Sequence, residues 1–91
     1  MTPQEELSER CHELNPEALK CDGLDEAIVG ISERFGQGSL LVYDVGKIID
    51  ILMTRDDMSH DEAIEWYEFN IVGAWMGDGT PIFMTHTKAG D

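Results

Sequence analysis

The chain has 91 residues, of which 19 are Asp or Glu and six are Lys or Arg, so its net charge is −13. Its length fits one domain, and its hydrophobic fraction of 42% suffices for a packed core. Such a chain lacks the basic face that DNA, RNA and anionic membranes require, so we expect no direct nucleic-acid or membrane binding. The natural complement is a protein with a basic surface, and the alternative is a solvated acidic exterior without a partner.

The sequence indicates a cytoplasmic protein. It contains no apolar run of membrane-spanning length and no pattern of a signal peptide. Cys11 and Cys21 fit a reducing compartment better than a disulfide scaffold. Cys11 also falls on an apolar helical stripe, which predicts a small buried side chain.

The first predicted element is a helix that begins at Thr2 and ends before Pro16. Thr2 can cap this helix, and Pro3 suits its first turn. Pro16 stops it, because the residue before a proline leaves α geometry. Residues 1–22 thus form an N-terminal helical segment, with a short further turn through Lys20.

A second helix is predicted from Asp25 to Phe35. Gly30 within it costs about 1 kcal/mol of helix propensity, and Gly36 is a stop signal. Beyond a turn at residues 36–38, the apolar run 39–43 predicts a buried strand. The residues that would share one face of the helix are Leu24, Ile28, Ile31 and Phe35.

Two further helices have clear start signals. Asp44 is the expected N-cap of a helix that runs to about Thr54. Ser59 and Glu62 have the spacing of a capping box, which predicts a long last helix that ends near Gly77. The expected core stripe of the first of these helices is Val45, Ile48, Ile49, Leu52 and Met53. That of the last helix is Ala63, Tyr67, Asn70, Ile71 and Ala74, with Ile64 and Trp75 at its edge.

The last predicted strand is Pro81–Met84, which we expect to pair with Leu40–Tyr43. A strand at residues 72–76, paired across the Gly77–Gly79 turn, is the alternative to a long last helix. The predicted fold is therefore α+β, with helices packed around a small two-stranded sheet in a single compact domain. Residues 85–91 form an expected frayed tail.

The last helix carries more aromatic residues than one face can bury, namely Trp66, Tyr67, Phe69 and Trp75. Either other elements surround this helix, or an aromatic patch is exposed for a partner or for self-association. We expect the first arrangement. Asn70 would then lie at a core position and need a hydrogen bond.

The densest acidic stretch suggests the binding site. The expected partner-binding residues are Asp56, Asp57, Asp61, Glu62, Glu65 and Glu68. Asp61, Glu65 and Glu68 line one helical face without a neighbouring cation, so they repel one another and can imitate a run of phosphates. The alternative is a solvated helix face whose first-turn acids suit the helix dipole.

Metal binding is a weaker hypothesis. Asp57, His60 and Asp61, with Asp56, supply donors for a divalent cation in a small metal-dependent enzyme, but they match no EF-hand. Zinc-ligand residue types occur at Cys11, His12, Cys21 and His86, without zinc-site spacing. Since no catalytic or cofactor motif is present, we expect no catalytic residues, no cofactor and no metal.

Two segments stand out within residues 24–84, namely LVYD at residues 41–44 and EAIEWYEFNIVGAWMGDGTPIF at residues 62–83. Through these segments the chain resembles a family of small proteins from bacteriophage and prophage genomes. The resemblance implies a phage or mobile-element gene expressed in a bacterial cytoplasm, and it implies no reaction. The leading hypothesis is thus an acidic phage protein that inhibits a basic host protein, such as a nucleic-acid-binding or defence factor. A homodimeric accessory protein, joined through Trp66 or Phe69, is a further alternative.

Overall fold

The computed structural model of the protein describes residues 2–34, 36–73 and 77–85, and a mixed sheet lies at its centre. Strands β1 (Ile28–Arg34), β2 (Gln37–Asp44) and β3 (Ile82–Met84) are ordered β1-β2-β3. β1 is antiparallel to β2, whereas β3 is parallel to it. The predicted α+β class is confirmed, but the described part of this single globule has three strands where two were expected.

The described residues also form three α-helices, α1 (Pro3–Leu14), α2 (Val45–Arg55) and α3 (His60–Tyr67). Their starts are those that the sequence predicts. Thr2 accepts a hydrogen bond from the Glu5 N–H at 3.1 Å, and Asp44 Oδ1 accepts one from the Gly46 N–H at 2.8 Å. None of the described helices combines the length and apolar character needed to cross a lipid bilayer.

The predicted helix from Asp25 to Phe35 is wrong. A 3₁₀ turn (Asp25–Ala27) leads instead into β1, where Ile28 pairs with Tyr43 and Ile31 pairs with Leu41. An irregularity in the register between Ile28 and Gly30 inserts an extra residue, as in a β-bulge. Ile28 and Ile31 therefore both face the core at a spacing of three, which imitates helical periodicity. Phe35 lies outside the described residues.

The core forms between α2, the sheet and α3, and the apolar stripe predicted for α2 is confirmed. Ile48, Ile49 and Leu52 of α2 are buried, with Val45 and Met53 packed at the edge. Tyr43 of β2 and Cys11 of α1 are wholly buried, which confirms the expected role of Cys11 as a small buried side chain.

β3 joins this core through Phe83. The Phe83 ring lies 5.9 Å from the Tyr43 ring, and also 5.9 Å from the Tyr67 ring in an edge-on arrangement. Pairing with the 40–43 segment is confirmed, because Ile82 pairs with Val42 and Phe83 with Tyr43. Val72 is helical, against the alternative of a strand at residues 72–76, of which residues 74–76 lie outside the described chain.

Between α1 and β1, hydrogen bonds connect the chain to β2 and to the turn that precedes β3. Asn15 Nδ2 donates to the Ser39 carbonyl at 2.9 Å, and the Leu19 N–H donates to the Gly79 carbonyl at 2.9 Å. The predicted N-terminal segment is thus helical only in its first part. At the other end Thr85 is exposed, and the rest of the predicted tail lies outside the described residues.

Candidate functional site

α3 packs on the core by one side only. Ala63, Tyr67 and Ile71 are buried, and Tyr67 is held edge-on against Phe83. By contrast, Trp66 is 39% exposed and Phe69 is 75% exposed. The expectation that other elements surround this helix is therefore wrong, and α3 presents an outer face to solvent.

Asn70 confirms that geometry. It was expected at a core position, but it is exposed, and its Nδ2 donates to the Trp66 carbonyl at 3.1 Å. The side-chain amide thus forms a hydrogen bond with the backbone of its own helix. Of the other residues expected on the core face, Ala74 and Trp75 lie outside the described chain.

A π-helical segment (Glu68–Val72) follows α3 directly. The Gly73 N–H donates to the Glu68 carbonyl at 3.0 Å, so the hydrogen bond spans five residues instead of four. The wider turn includes Phe69 and Val72, and the Val72 side chain is 50% exposed. π-Helical turns are rare, and they occur frequently at functional sites.

Three of the six expected site residues form an acidic stripe on the outer face, which comprises Asp61, Glu65 and Glu68. All three are exposed, and none has an ion pair with a Lys or Arg of the described residues. His60 Nδ1 lies 4.0 Å from Asp61 Oδ1. The stripe thus keeps its negative charge directed at solvent.

The other three expected residues differ from the stripe. Asp56 receives two hydrogen bonds of 3.1 Å from the Arg55 guanidinium, which lowers the pKa of its carboxyl. Arg55 also donates to the Gly23 carbonyl at 2.6 Å, so the Arg55–Asp56 pair connects the end of α2 to the loop before β1. Asp57 is exposed at a positive φ of 55° at the turn between α2 and α3.

Glu62 has a structural task and borders the stripe. Its Oε1 accepts a hydrogen bond from the Ser59 N–H at 2.9 Å, which lowers the pKa of the carboxyl and completes the predicted capping box. Glu62 nevertheless lines an open groove on α3, together with Glu65. The groove has a volume of about 350 Å³, and its remaining walls are Met58, Trp66, Phe69 and Asn70.

The aromatic walls of this groove, Trp66 and Phe69, are exposed, whereas the sequence predicted that other elements would surround them. The excess of aromatic residues over one buried face was the available signal. It permits an exposed patch or a surrounded helix, and periodicity does not distinguish the two. The structure decides for the exposed patch at Trp66 and Phe69.

A larger groove, of about 580 Å³, lies between the start of α2 and α3. Its charged walls include Lys47, Asp50 and Glu68, and its floor includes Ile64 and Tyr67. The charges have mixed sign, and Asp44 at one end is engaged as the cap of α2. This groove therefore favours no particular ligand class.

The metal hypotheses gain no support. No three Cys, His, Asp or Glu side chains are close enough to hold an ion within the parts of the chain that the structure describes. Burial raises the pKa of the Cys11 and Cys21 thiols, which opposes the thiolate form that zinc requires. His86 lies outside the described residues.

Neither the scan of protein-family models nor the searches of curated proteins and solved structures found a match to this chain. The resemblance to phage proteins thus stays a prediction. The candidate site accordingly depends on its own geometry, which is an acidic stripe beside an exposed aromatic pair.

Proposed function

We propose that this chain binds and inhibits a host protein with a basic surface, such as a nucleic-acid-binding or defence factor, by imitating nucleic-acid charge. In this proposal its gene belongs to a phage or mobile element, and the protein acts in the bacterial cytoplasm. The supporting observation is the stripe of Asp61, Glu65 and Glu68, exposed and without a Lys or Arg ion pair among the described residues.

The spacing of the stripe suits such imitation. Along a helix, residues 61, 65 and 68 are separated by rises of about 6 Å and 4.5 Å. One strand of DNA carries a charge every 3.4 Å or so along its axis, which is of the same order. Flexible Lys and Arg side chains that reach phosphates can therefore also reach these carboxylates.

The stripe has no evident value for stability. Like charges at these helical spacings are destabilising by about 0.2–0.5 kcal/mol per pair. Of the three, only Asp61 lies in the first turn, where the helix dipole offsets this cost. A binding role accounts for keeping Glu65 and Glu68 beside it.

The experiment is a pull-down from bacterial lysate with the full chain at low and high salt. The test variant is Asp61→Asn combined with Glu65→Gln and Glu68→Gln. Its matched control neutralises three exposed glutamates of α1 (Glu6→Gln, Glu9→Gln and Glu13→Gln), which changes the net charge equally. We expect a basic protein that is retained at low salt, released at high salt, and displaced by added duplex DNA.

The position of the charge decides the interpretation. The α3 variant should lose the retained protein, whereas the α1 control should keep most of it. Retention that ignores salt over a tenfold range, or an equal loss in both variants, would contradict charge imitation by this face.

A further inference from the structure

An exposed aromatic pair borders the acidic stripe. Trp66 and Phe69 wall the 350 Å³ groove described above, and Phe69 keeps three quarters of its surface in water, at 75% exposure. Single exposed apolar residues are ordinary, but these two lie together with Met58 in one depression. Charge imitation alone does not require an aromatic groove.

The same groove contains a carboxylate that is already held in place. The Ser59 N–H binds Glu62 Oε1 at 2.9 Å, and no hydrogen bond from a described residue reaches Glu62 Oε2. Glu65 lies on the same groove. An incoming cation thus meets one oriented carboxylate and one exposed carboxylate beside an indole ring.

This combination selects the chemistry of the occupant. A guanidinium is planar, stacks on aromatic rings and binds carboxylates through two parallel hydrogen bonds. An ammonium is a strongly hydrated point charge that does neither as well. Phe69 and Met58 add contacts for an apolar side chain on the same segment.

A second copy of the chain is a poor occupant. It would bring the same stripe, with Asp61, Glu65 and Glu68, against its equivalent, at a net charge of −13 for each chain. The exposed apolar surface at Trp66 and Phe69 is small beside the ~800 Å² per partner that a standard interface buries. Charge complementarity therefore favours a basic segment of another protein.

We infer that the groove on α3 binds an arginine-bearing, partly apolar segment of the partner protein, with the guanidinium on Trp66 between Glu62 and Glu65, and Phe69 as the apolar anchor. This inference rests on the proposed function and deepens it. It adds that the chain recognises an arginine side chain of the partner at this groove, in addition to the partner's overall positive charge.

The test uses two labelled synthetic amphipathic peptides that differ only in arginine or lysine on the polar face. Each is titrated with the full chain, and affinity is measured by fluorescence anisotropy at physiological salt. We expect the arginine peptide to bind roughly three- to thirtyfold more tightly than the lysine peptide.

Two variants locate the effect. Phe69→Gln, at a mostly exposed position, should weaken binding of the arginine peptide about tenfold. Trp66→Ala should reduce the preference for arginine to near unity, and a thermal unfolding curve shows whether that variant folds. Leu14→Gln removes an exposed apolar residue of α1, at 49% exposure, and is the matched control that should leave affinity unchanged.

The outcomes separate the two proposals. Equal affinity for both peptides, with loss in the stripe variant, overturns the arginine inference and leaves charge imitation standing. No saturable binding of either peptide, or a Phe69→Gln variant as harmless as Leu14→Gln, also overturns it. A dimer of the free chain that Phe69→Gln dissociates would assign the groove to self-association and overturn the inference as well.

Discussion

The N–H of Cys21 donates a hydrogen bond to the hydroxyl of Tyr43 at 2.9 Å, and this bond ties the loop after α1 to the central strand. Tyr43 is wholly buried and its ring lies against that of Phe83, so its hydroxyl is the polar end of a core side chain. Burial raises the pKa of this hydroxyl well above its ordinary value, so it remains protonated at any physiological pH.

Replacing Tyr43 with Phe should lower the free energy of unfolding by about 1–3 kcal/mol, because the partly buried Cys21 N–H loses its acceptor. Urea unfolding measures the change. Tyr67→Phe is the control, since no hydrogen bond from a described residue reaches the Tyr67 hydroxyl, and we expect less than about 0.5 kcal/mol. Equal losses in the two variants would show that the Cys21 bond contributes nothing specific.

Gly79→Ala should destabilise the protein by about 1–3 kcal/mol. A Cβ at this position would overlap the Glu17 carbonyl and disturb the Leu19–Gly79 hydrogen bond of 2.9 Å, so backbone would have to move. Gly30→Ala is the matched control, because a Cβ there meets no atom within 4 Å. Thermal unfolding of both variants checks the difference, and a tolerated Gly79→Ala would refute the close approach.

The capping box of α3 should make stability depend on acidic pH. The Ser59 N–H lowers the pKa of Glu62 below the ordinary value of 4.5, so the ionised form is favoured in the folded chain. This contribution is present above the unfolded pKa and is lost as the pH falls through the folded pKa. Wild type should therefore exceed Glu62→Gln in thermal stability at neutral pH, and the gap should narrow below about pH 4.5.

Glu65→Gln is the control for that experiment, because Glu65 is exposed and belongs to the repulsive stripe. Removing its charge should be neutral or slightly stabilising at neutral pH, which is the opposite sign. A gap between wild type and Glu62→Gln that stays constant down to pH 3 or so would rule out the capping contribution.

The two thiols should react at very different rates. Cys11 is wholly buried, and Cys21 is partly buried. Burial raises the pKa of the Cys21 thiol, the neighbouring Asp22 raises it further, and a hydrogen bond with Tyr43 lowers it. In the native protein a thiol reagent should modify Cys21 slowly and Cys11 only on unfolding. Cys21→Ala should abolish the native reaction, and fast labelling of that variant would disprove the burial of Cys11.

Much of the candidate site is readable from sequence. Exposed acids without cations at positions 61, 65 and 68 predict the stripe, and Ser59 with Glu62 predicts the start of its helix. The sequence does not show which of these acidic residues also stabilise the fold. Arg55 engages Asp56, and the same guanidinium reaches Gly23, which is 32 positions away in the chain.

The sequence by itself determined the features that depend on near neighbours: the three helix starts, the central strand and the apolar stripe of α2. Only the tertiary structure decided β1, because a bulge opposite Tyr43 lets Ile28 and Ile31 face the core with helical spacing. It also decided which side of α3 is solvated, since Phe83 of the last strand contacts Tyr67 and leaves Phe69 outside. Both outcomes depend on partners distant in the chain, which local periodicity does not encode.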